Sequence, residues 1–461
     1  MKQKYYLIEE EMKRKLLSIG LLCTSMLFIG IFEASAMSEQ ELRIRALEEK
    51  LEALYPKSAD GKSFSAHGMK KQGTKNPFYY KKGFHFESED GLFSTNLQWR
   101  AQMRFGNPGD GDPITTADFR TDPKTSNFEL RRVRMKIGGH GYKPWVKYYF
   151  EIDLQPSRTY TASSANASSR VIDWRLDVQP WEEFGFRVGQ WKINYNRERV
   201  DSSGRQQFVE RSIVNSIFTI DRQVGIMAKG RLFKKTHADL RYYVGIFNGE
   251  GRAVDNANEQ MMKMARLQWN FLGRDLKWRQ SDVKRHKKPT AQLAGGWAST
   301  KTPCTRWSSS GCGNLGGFTD EASANGSQFD IEQWVAEFAM KYQGLSIQSE
   351  YHWKTIEDSE AQTTHDLKGA YAQVGYFFNE IMPAVPEEFE MAFRYAFVDE
   401  PDSNVTTLTS NREEYTVAAN YFIAGHNNKI TADYSYLTLN DASDTLFSKE
   451  NRVRVQWDIS F

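Results

Sequence analysis

Six basic residues carry the chemistry that this sequence can do: Arg100, Arg104, Arg132, Arg134, Lys136 and Arg187. Arg100 and Arg104 alternate with Trp99, Ala101, Met103 and Phe105. Arg132, Arg134 and Lys136 alternate with Val133, Met135 and Ile137. Residues two apart on a strand share a face, so each set is a cationic row backed by an apolar one. Such a row beside a watery lumen raises the local anion concentration and guides anions along it. The same parity puts Lys147, Arg175, Lys229, Arg231, Arg241, Arg266, Lys341, Arg394, Lys429, Arg452 and Arg454 on the polar face. Facing them are Glu151, Asp153, Asp173, Asp177, Glu337, Glu350, Glu390, Glu414, Asp433 and Asp458. The other reading is a wall of arginine–carboxylate pairs that only braces the structure. No catalytic constellation is visible, since the histidines are scattered. His352 and His365, flanking Glu357, Asp358 and Glu360, are the one enzyme candidate. Asp110, Asp112 and Asp118 could offer oxygens to calcium, but read better as a solvated acidic loop. No metal site and no cofactor is expected.

The elements that must position these rows are strands. The final stretch, 451–461, reads NRVRVQWDISF: Val453, Val455, Trp457, Ile459 and Phe461 on one parity, Arg452, Arg454, Gln456, Asp458 and Ser460 on the other. Similar segments are predicted at 92–105, 128–139, 145–155, 170–179, 184–191, 223–233, 237–248, 262–272, 290–298, 331–343, 345–355, 368–378, 388–398, 413–423, 428–439 and 450–461. That is about sixteen strands, each near the ~10 residues that a tilted membrane-spanning strand needs. Charges on one face and aromatics on the other do not suit a soluble sandwich with a dry inner face. They suit a transmembrane antiparallel β-barrel, all-β, wide enough to hold water. Gaps alternate between long (106–127, 156–169, 192–222, 249–261, 299–330, 356–367, 399–412, 440–449) and short (140–144, 180–183, 234–236, Gly344, 424–427). Two on the short side, 273–289 and 379–387, are longer than ideal.

The chain has 461 residues, 40% hydrophobic and 13% aromatic, with a net charge of +3 and three cysteines. The charge is too small to point to nucleic acid, and the cysteine count excludes a disulfide scaffold. Residues 1–36 read as a signal peptide: Lys13, Arg14 and Lys15, an apolar run to Phe32, then Ala34-Ser35-Ala36. Translation starts at Met1 or Met12. Residues 37–56 are expected to form a short amphipathic, coiled-coil-like periplasmic helix, with Ile44, Leu47, Leu51 and Leu54 at heptad spacing. It offers a surface for trimerisation or for a periplasmic partner. Residues 57–83 read as a linker and 84–461 as the barrel. Cys304 and Cys312 sit close together in a loop of an exported protein, so a disulfide is expected.

Residues 128–139 (FELRRVRMKIGG), 184–192 (FGFRVGQWK) and 208–212 (FVERS), followed by Asp221-Arg222-Gln223-Val224-Gly225, resemble the phosphate-selective porin family of the O and P type over about residues 84–461. The resemblance implies a sixteen-stranded outer-membrane barrel, usually trimeric, whose third long loop folds into the lumen as a constriction. It matches Arg131, Arg132 and Arg134 to the family's basic strand, and Arg187, Gly189 and Gln190 to the strand before the constriction. Glu198 falls where the family often has a glutamate. Asn194-Tyr195 stand where many members carry Pro-Phe-Gly, and no lysine cluster is visible in 192–222. The constriction loop would carry Arg197, Glu198, Arg199, Arg205, Glu210 and Arg211, a mixed charge that suggests a transverse field. The expected function is a porin in the bacterial outer membrane, embedded in the lipid bilayer, passing small solutes with a preference for anions such as phosphate. The alternative is a structural or adhesive barrel with a plugged lumen.

Overall fold

The computed structural model describes residues 77–108, 126–155, 170–308, 311–399, 410–441 and 447–461. The proposed signal peptide and the helix expected at 37–56 lie outside them, as do Asp110, Asp112 and Asp118. The strands in chain order are β1 Phe78–Tyr80, β2 Phe84–Glu87, β3 Ser94–Asn107, β4 Asn127–Gly141, β5 Lys143–Asp153, β6 Arg170–Val178, β7 Gly185–Lys192, β8 Arg222–Leu232, β9 Leu240–Phe247, β10 Met262–Trp269 and β11 Thr290–Thr302. Next come β12 Arg306–Ser308, β13 Gly311–Gly313, β14 Phe329–Tyr342, β15 Leu345–Asp358, β16 Thr363–Tyr376, β17 Phe389–Asp399, β18 Ser410–Tyr421, β19 Ile423–His426, β20 Asn428–Asp441 and β21 Phe447–Ser460.

Eighteen strands form one antiparallel sheet, and β21 pairs with β3 from Val453↔Asn107 to Ser460↔Arg100, which closes it. Setting aside the β1–β2 hairpin, sixteen strands make the barrel. Closure leaves no unpaired edge, the condition for crossing a bilayer with strands. β2 pairs with β3 from Phe84↔Leu97 to Glu87↔Ser94, just past the end of β21, where Phe461 exchanges backbone hydrogen bonds with Trp99. The hairpin thus covers the stretch of β3 edge that the last strand does not reach. Phe78–Tyr80 therefore forms a strand inside the segment read as linker, because a partner edge is waiting for it.

Side chains alternate as the sequence predicts, with the polar row inside. On β21, Arg452, Arg454, Gln456 and Asp458 are buried while Val453, Val455 and Trp457 are 40–43% exposed on the outer face. Exposed aliphatic and aromatic residues over buried charges is the reverse of a soluble protein, and it fits a lipid-facing exterior.

Two of the connections depart from the expected rhythm. The gap 356–367, read as a long loop, is mostly strand: β15 and β16 continue to a turn over 359–362. Ile356 and Leu367 are buried there on the inner face, so the polar Glu357-Asp358 pair marks a strand end, not a loop start. At the other end, β14 and β15 are joined by Gln343 (φ 43°) and Gly344 (φ 81°). Two successive left-handed residues make the tight hairpin whose twist matches the strands. The overlong short-side gap, 270–289 in the structure, does not hang outside. Gln280, Ser281 and Asp282 in it are buried inside the barrel end.

Candidate pore constriction

The connection between β7 and β8 enters the barrel and crosses it. Its fixed points are two one-turn helices, α1 Arg197–Val200 and α2 Asn215–Phe218. Turns this short cannot hold themselves, so their unpaired backbone N–H groups need partners. Carboxylates of the wall supply them. Arg197 N donates to Glu337 Oε1 (3.0 Å) and Glu198 N to Glu350 Oε1 (2.6 Å). Val209 N donates to Asp433 Oδ2 (2.9 Å) and Ile213 N to Glu414 Oε2 (2.9 Å). Loop carbonyls are taken by wall donors: Arg104 to Val209 O (3.2 Å), Lys429 to Gln206 O (2.5 Å), Asn420 to Gln207 O (2.8 Å) and Lys354 to Ile217 O (3.2 Å). The loop is thereby tied to β3, β14, β15, β18 and β20.

The apolar side of the loop packs into a core within the barrel. Ile193, Tyr195, Ile213, Ile217 and Phe218 pack with Phe247, Met262, Trp307, Phe329 and Ile356, all buried. The β12–β13 hairpin, closed by the Cys304–Cys312 disulfide, belongs to this core. Trp307 Nε1 donates to Gly249 O (2.6 Å), and Lys354 reaches both Ile217 O and Thr305 O. The connection 270–289 meets the loop from the opposite end. Arg197 Nη2 donates to Lys277 O (2.5 Å), and Gln207 N to Gln280 Oε1 (2.7 Å). The sequence signal for this was its length on the side where turns are tight.

The basic row proves to be paired along most of its length. Arg100 donates to Ser203 Oγ (3.1 Å) and pairs with Asp458 (3.4 Å). A Cβ on Gly204 would come within 2.6 Å of that guanidinium, so any larger residue there would have to displace the Arg100 side chain. Arg134 pairs with Glu151 (3.1 Å) and Asp153 (3.2 Å). Glu210 of the loop meets Arg104 (2.8 Å), Arg131 (2.7 Å) and Arg132 (3.3 Å). Strict alternation would turn Arg131 outward. A β-bulge shifts the register from Gln102↔Arg132 to Met103↔Leu130, which makes Arg131 the extra residue of the bulge and brings it to Glu210. Within the loop, Arg197 and Arg211 donate mainly to uncharged oxygens: Arg197 to Gln348 Oε1 (2.9 Å), Arg211 to Glu198 O (3.0 Å) and Asp201 O (2.7 Å). Arg199 pairs with Asp221 (2.9 Å).

Two cations near the loop differ from this row. Among the described residues Lys136 and Arg205 take part in no ion pair and donate no side-chain hydrogen bond, and both are partly exposed. They lie within electrostatic reach of each other and of Arg100; Glu151, opposite Lys136 in the ladder, and Asp201, near Arg205, are the carboxylates that act on them. Burial, with Arg279 beside it, lowers the Arg205 guanidinium to about 10, so it stays cationic at neutral pH. This is where the loop faces β4–β6. Arg187, further toward the short-turn end, shares Asp177 (2.8 Å) with Lys229.

Glu198 accepts from Ser212 N (2.8 Å) and Ser212 Oγ (2.9 Å). Burial pushes its carboxyl up to about 7, with Glu350 adding and Arg394 opposing. A carboxyl raised in the fold gives stability that is fully present below its ordinary value near 4.5 and is lost as pH climbs to about 7. Urea unfolding in detergent is therefore expected to show lower stability at pH 8 than at pH 5. Glu198→Gln, which has no proton to lose, is expected to flatten that difference. An unchanged pH slope in the variant would remove Glu198 as its source.

The enzyme candidate separates. His352 Nε2 bonds Glu350 Oε2 (3.1 Å), while His365 pairs across from Ile356 and bonds Thr363 (3.0 Å), four rungs away along β15.

A family model, phosphate-selective porin O and P, matches residues 103–460. The fold is similar to a loop L8 deletion mutant of OmpT, an outer-membrane protein of Vibrio cholerae (TM-score 0.52, 10% identity, 80% of this chain and 100% of that one). It is similar to the outer-membrane channel DcaP of Acinetobacter baumannii (TM-score 0.52, 11% identity, 82% and 99%). It is also similar to an anion-selective porin from Comamonas acidovorans (TM-score 0.50, 8% identity, 80% and 100%). No curated protein matches the chain.

Proposed function

Because the chain belongs to the phosphate-selective porin O and P family, and is thus an outer-membrane diffusion channel of a bacterium, we propose that it passes small solutes with a preference for anions. The observation that carries this is the pair Lys136 and Arg205, which are in no ion pair among the described residues and lie within electrostatic reach of each other, with Glu151 opposite Lys136 on β5 as the nearest counter-charge of the wall. Paired arginines contribute little net field at a distance, because each carries its counter-charge with it. Unpaired ones set the local potential that ions feel. The family relation supports phosphate among the anions and a homotrimer as the assembly. The separated histidines support a channel with no catalytic role. A partner for residues 37–56 rests on their heptad spacing alone.

The test is the reversal potential of purified protein in a planar bilayer under a KCl gradient. Anion preference predicts a potential on the chloride side of zero. A second reading, the structural barrel with a plugged lumen, is favoured by the apolar core that occupies part of the barrel. It predicts no conductance under the same conditions.

A further inference from the structure

We propose that a vestibule at the short-turn end of the lumen binds an aryl carboxylate. It rests on the reading of the lumen as a solute path and names a class of solute for it. The cavity is about 870 Å³, within the range of small-molecule sites. Its wall is built from inward-facing positions of four consecutive strands: Trp145 and Lys147 on β5, Arg175 and Asp177 on β6, Arg187 on β7 and Lys229 on β8.

Cations outnumber carboxylates in the vestibule, four to two: Lys147, Arg175, Arg187 and Lys229 against Asp177 and Glu182, and Glu182 is paired with Lys234 (2.7 Å). Asp177 serves three of the cations: Arg187 Nε at 2.8 Å, Arg175 Nε at 3.5 Å, and Lys229. Lys147 joins them with no ion pair among the described residues. Arg175 is the informative one. Its guanidinium stands 4.3 Å from the centroid of the Tyr149 ring, and it donates no hydrogen bond to any described residue. A guanidinium fixed by stacking, with its planar fork of N–H groups open, is a ready two-point receptor for a carboxylate.

The second half of the ligand follows from Trp145. It lies two residues before Lys147 on the same face and is 39% exposed. That spacing is about 7 Å along a strand, a span that an aromatic ring with a carboxylate attached can cover. Indole offers a face for the ring while Arg175 and Lys147 hold the charge. Acetate has the charge without the ring, and benzyl alcohol the ring without the charge.

Calorimetric titration of the folded protein in detergent tests this without requiring conduction. Benzoate is expected to bind at least about tenfold more tightly than acetate or inorganic phosphate, since covering the ring with indole is worth a factor of about ten or more, and at least about tenfold more tightly than benzyl alcohol, since a charged hydrogen-bonded contact is worth as much. Trp145→Leu is expected to bring benzoate down to the level of acetate. Arg175→Gln is expected to weaken benzoate and acetate together by about tenfold. Lys147→Gln, at an exposed position, gives the same direction with a smaller drop and serves if Arg175→Gln fails to fold. Phosphate or acetate binding as tightly as benzoate would overturn the aryl half. Benzyl alcohol matching benzoate would overturn the charged half. Benzoate affinity unchanged in all three variants would place any binding elsewhere. Binding without conductance would count against the channel reading alone, and conductance without binding against the vestibule alone.

Discussion

Lys136→Glu/Arg205→Glu is expected to lower the chloride-to-potassium permeability ratio by tenfold or more, while Arg100→Gln/Asp458→Asn leaves it within about twofold. A unit charge about 8 Å from a passing ion contributes about 0.5 kcal/mol in water. Reversing two charges is a change of four units, or about 2 kcal/mol before salt screening, and 1.4 kcal/mol is already a factor of ten. The second pair of substitutions removes an arginine and its own carboxylate, which sit 3.4 Å apart and almost out of contact with solvent. The net charge of the wall is unchanged, so the far field is too. The measurement is reversal potential across a KCl gradient at several salt concentrations. The effect of the first double variant should shrink as salt rises. A large selectivity change from the Arg100/Asp458 variant, with none from Lys136/Arg205, would return the guiding role to the basic row as a whole.

Why parity could find the wall but not its electrostatics is clear from particular residues. Period-2 alternation is imposed by lipid outside and water inside, so each strand carries its own signal, and all sixteen segments lie where strands form. Arg100, Arg104, Arg132 and Arg134 were visible as inward for the same reason. Their partners were not, because Asp458 is 358 positions from Arg100 and Glu210 is more than seventy from Arg132. A bulge also breaks parity locally, which is why Arg131 counts as an inner residue in the structure and not by alternation. The gap 356–367 misled because strands run beyond the lipid band. Out there the outer face has no reason to be apolar, so the alternation weakens although the ladder continues. The connection 270–289 gave only its length. That Gln280 and Ser281 turn inward depends on a loop arriving from the other side, which no local pattern encodes.

Glu210→Ala is expected to cost about 3–5 kcal/mol of stability, the range for stripping one partner from a buried ion pair, and to raise single-channel conductance. Three arginines converge on this one carboxylate, and two of them, Arg104 and Arg132, are about one-tenth exposed at the side chain. Glu129 can still reach Arg104 (3.3 Å) and Arg131 (3.8 Å), but it forms no ion pair with Arg132. Arg132 would keep its bond to Gln102 (3.0 Å) and lose its counter-charge. Mutual repulsion among the three would then act on the segment of loop that sits over them, next to Val209, whose carbonyl Arg104 also holds. Glu210→Gln retains an acceptor but not the charge, so it should fall between wild type and alanine. Arg132→Ala in the Glu210→Ala background should restore part of the loss, because the charge left without a partner is gone. Urea midpoints in detergent and single-channel recordings on the same four proteins separate the two consequences. Destabilisation with unchanged conductance would mean that the wall suffers while the loop stays seated on its Glu337, Glu350, Asp433 and Glu414 contacts. No change in either would mean that Glu210 does not hold the loop, and that the four wall carboxylates alone do.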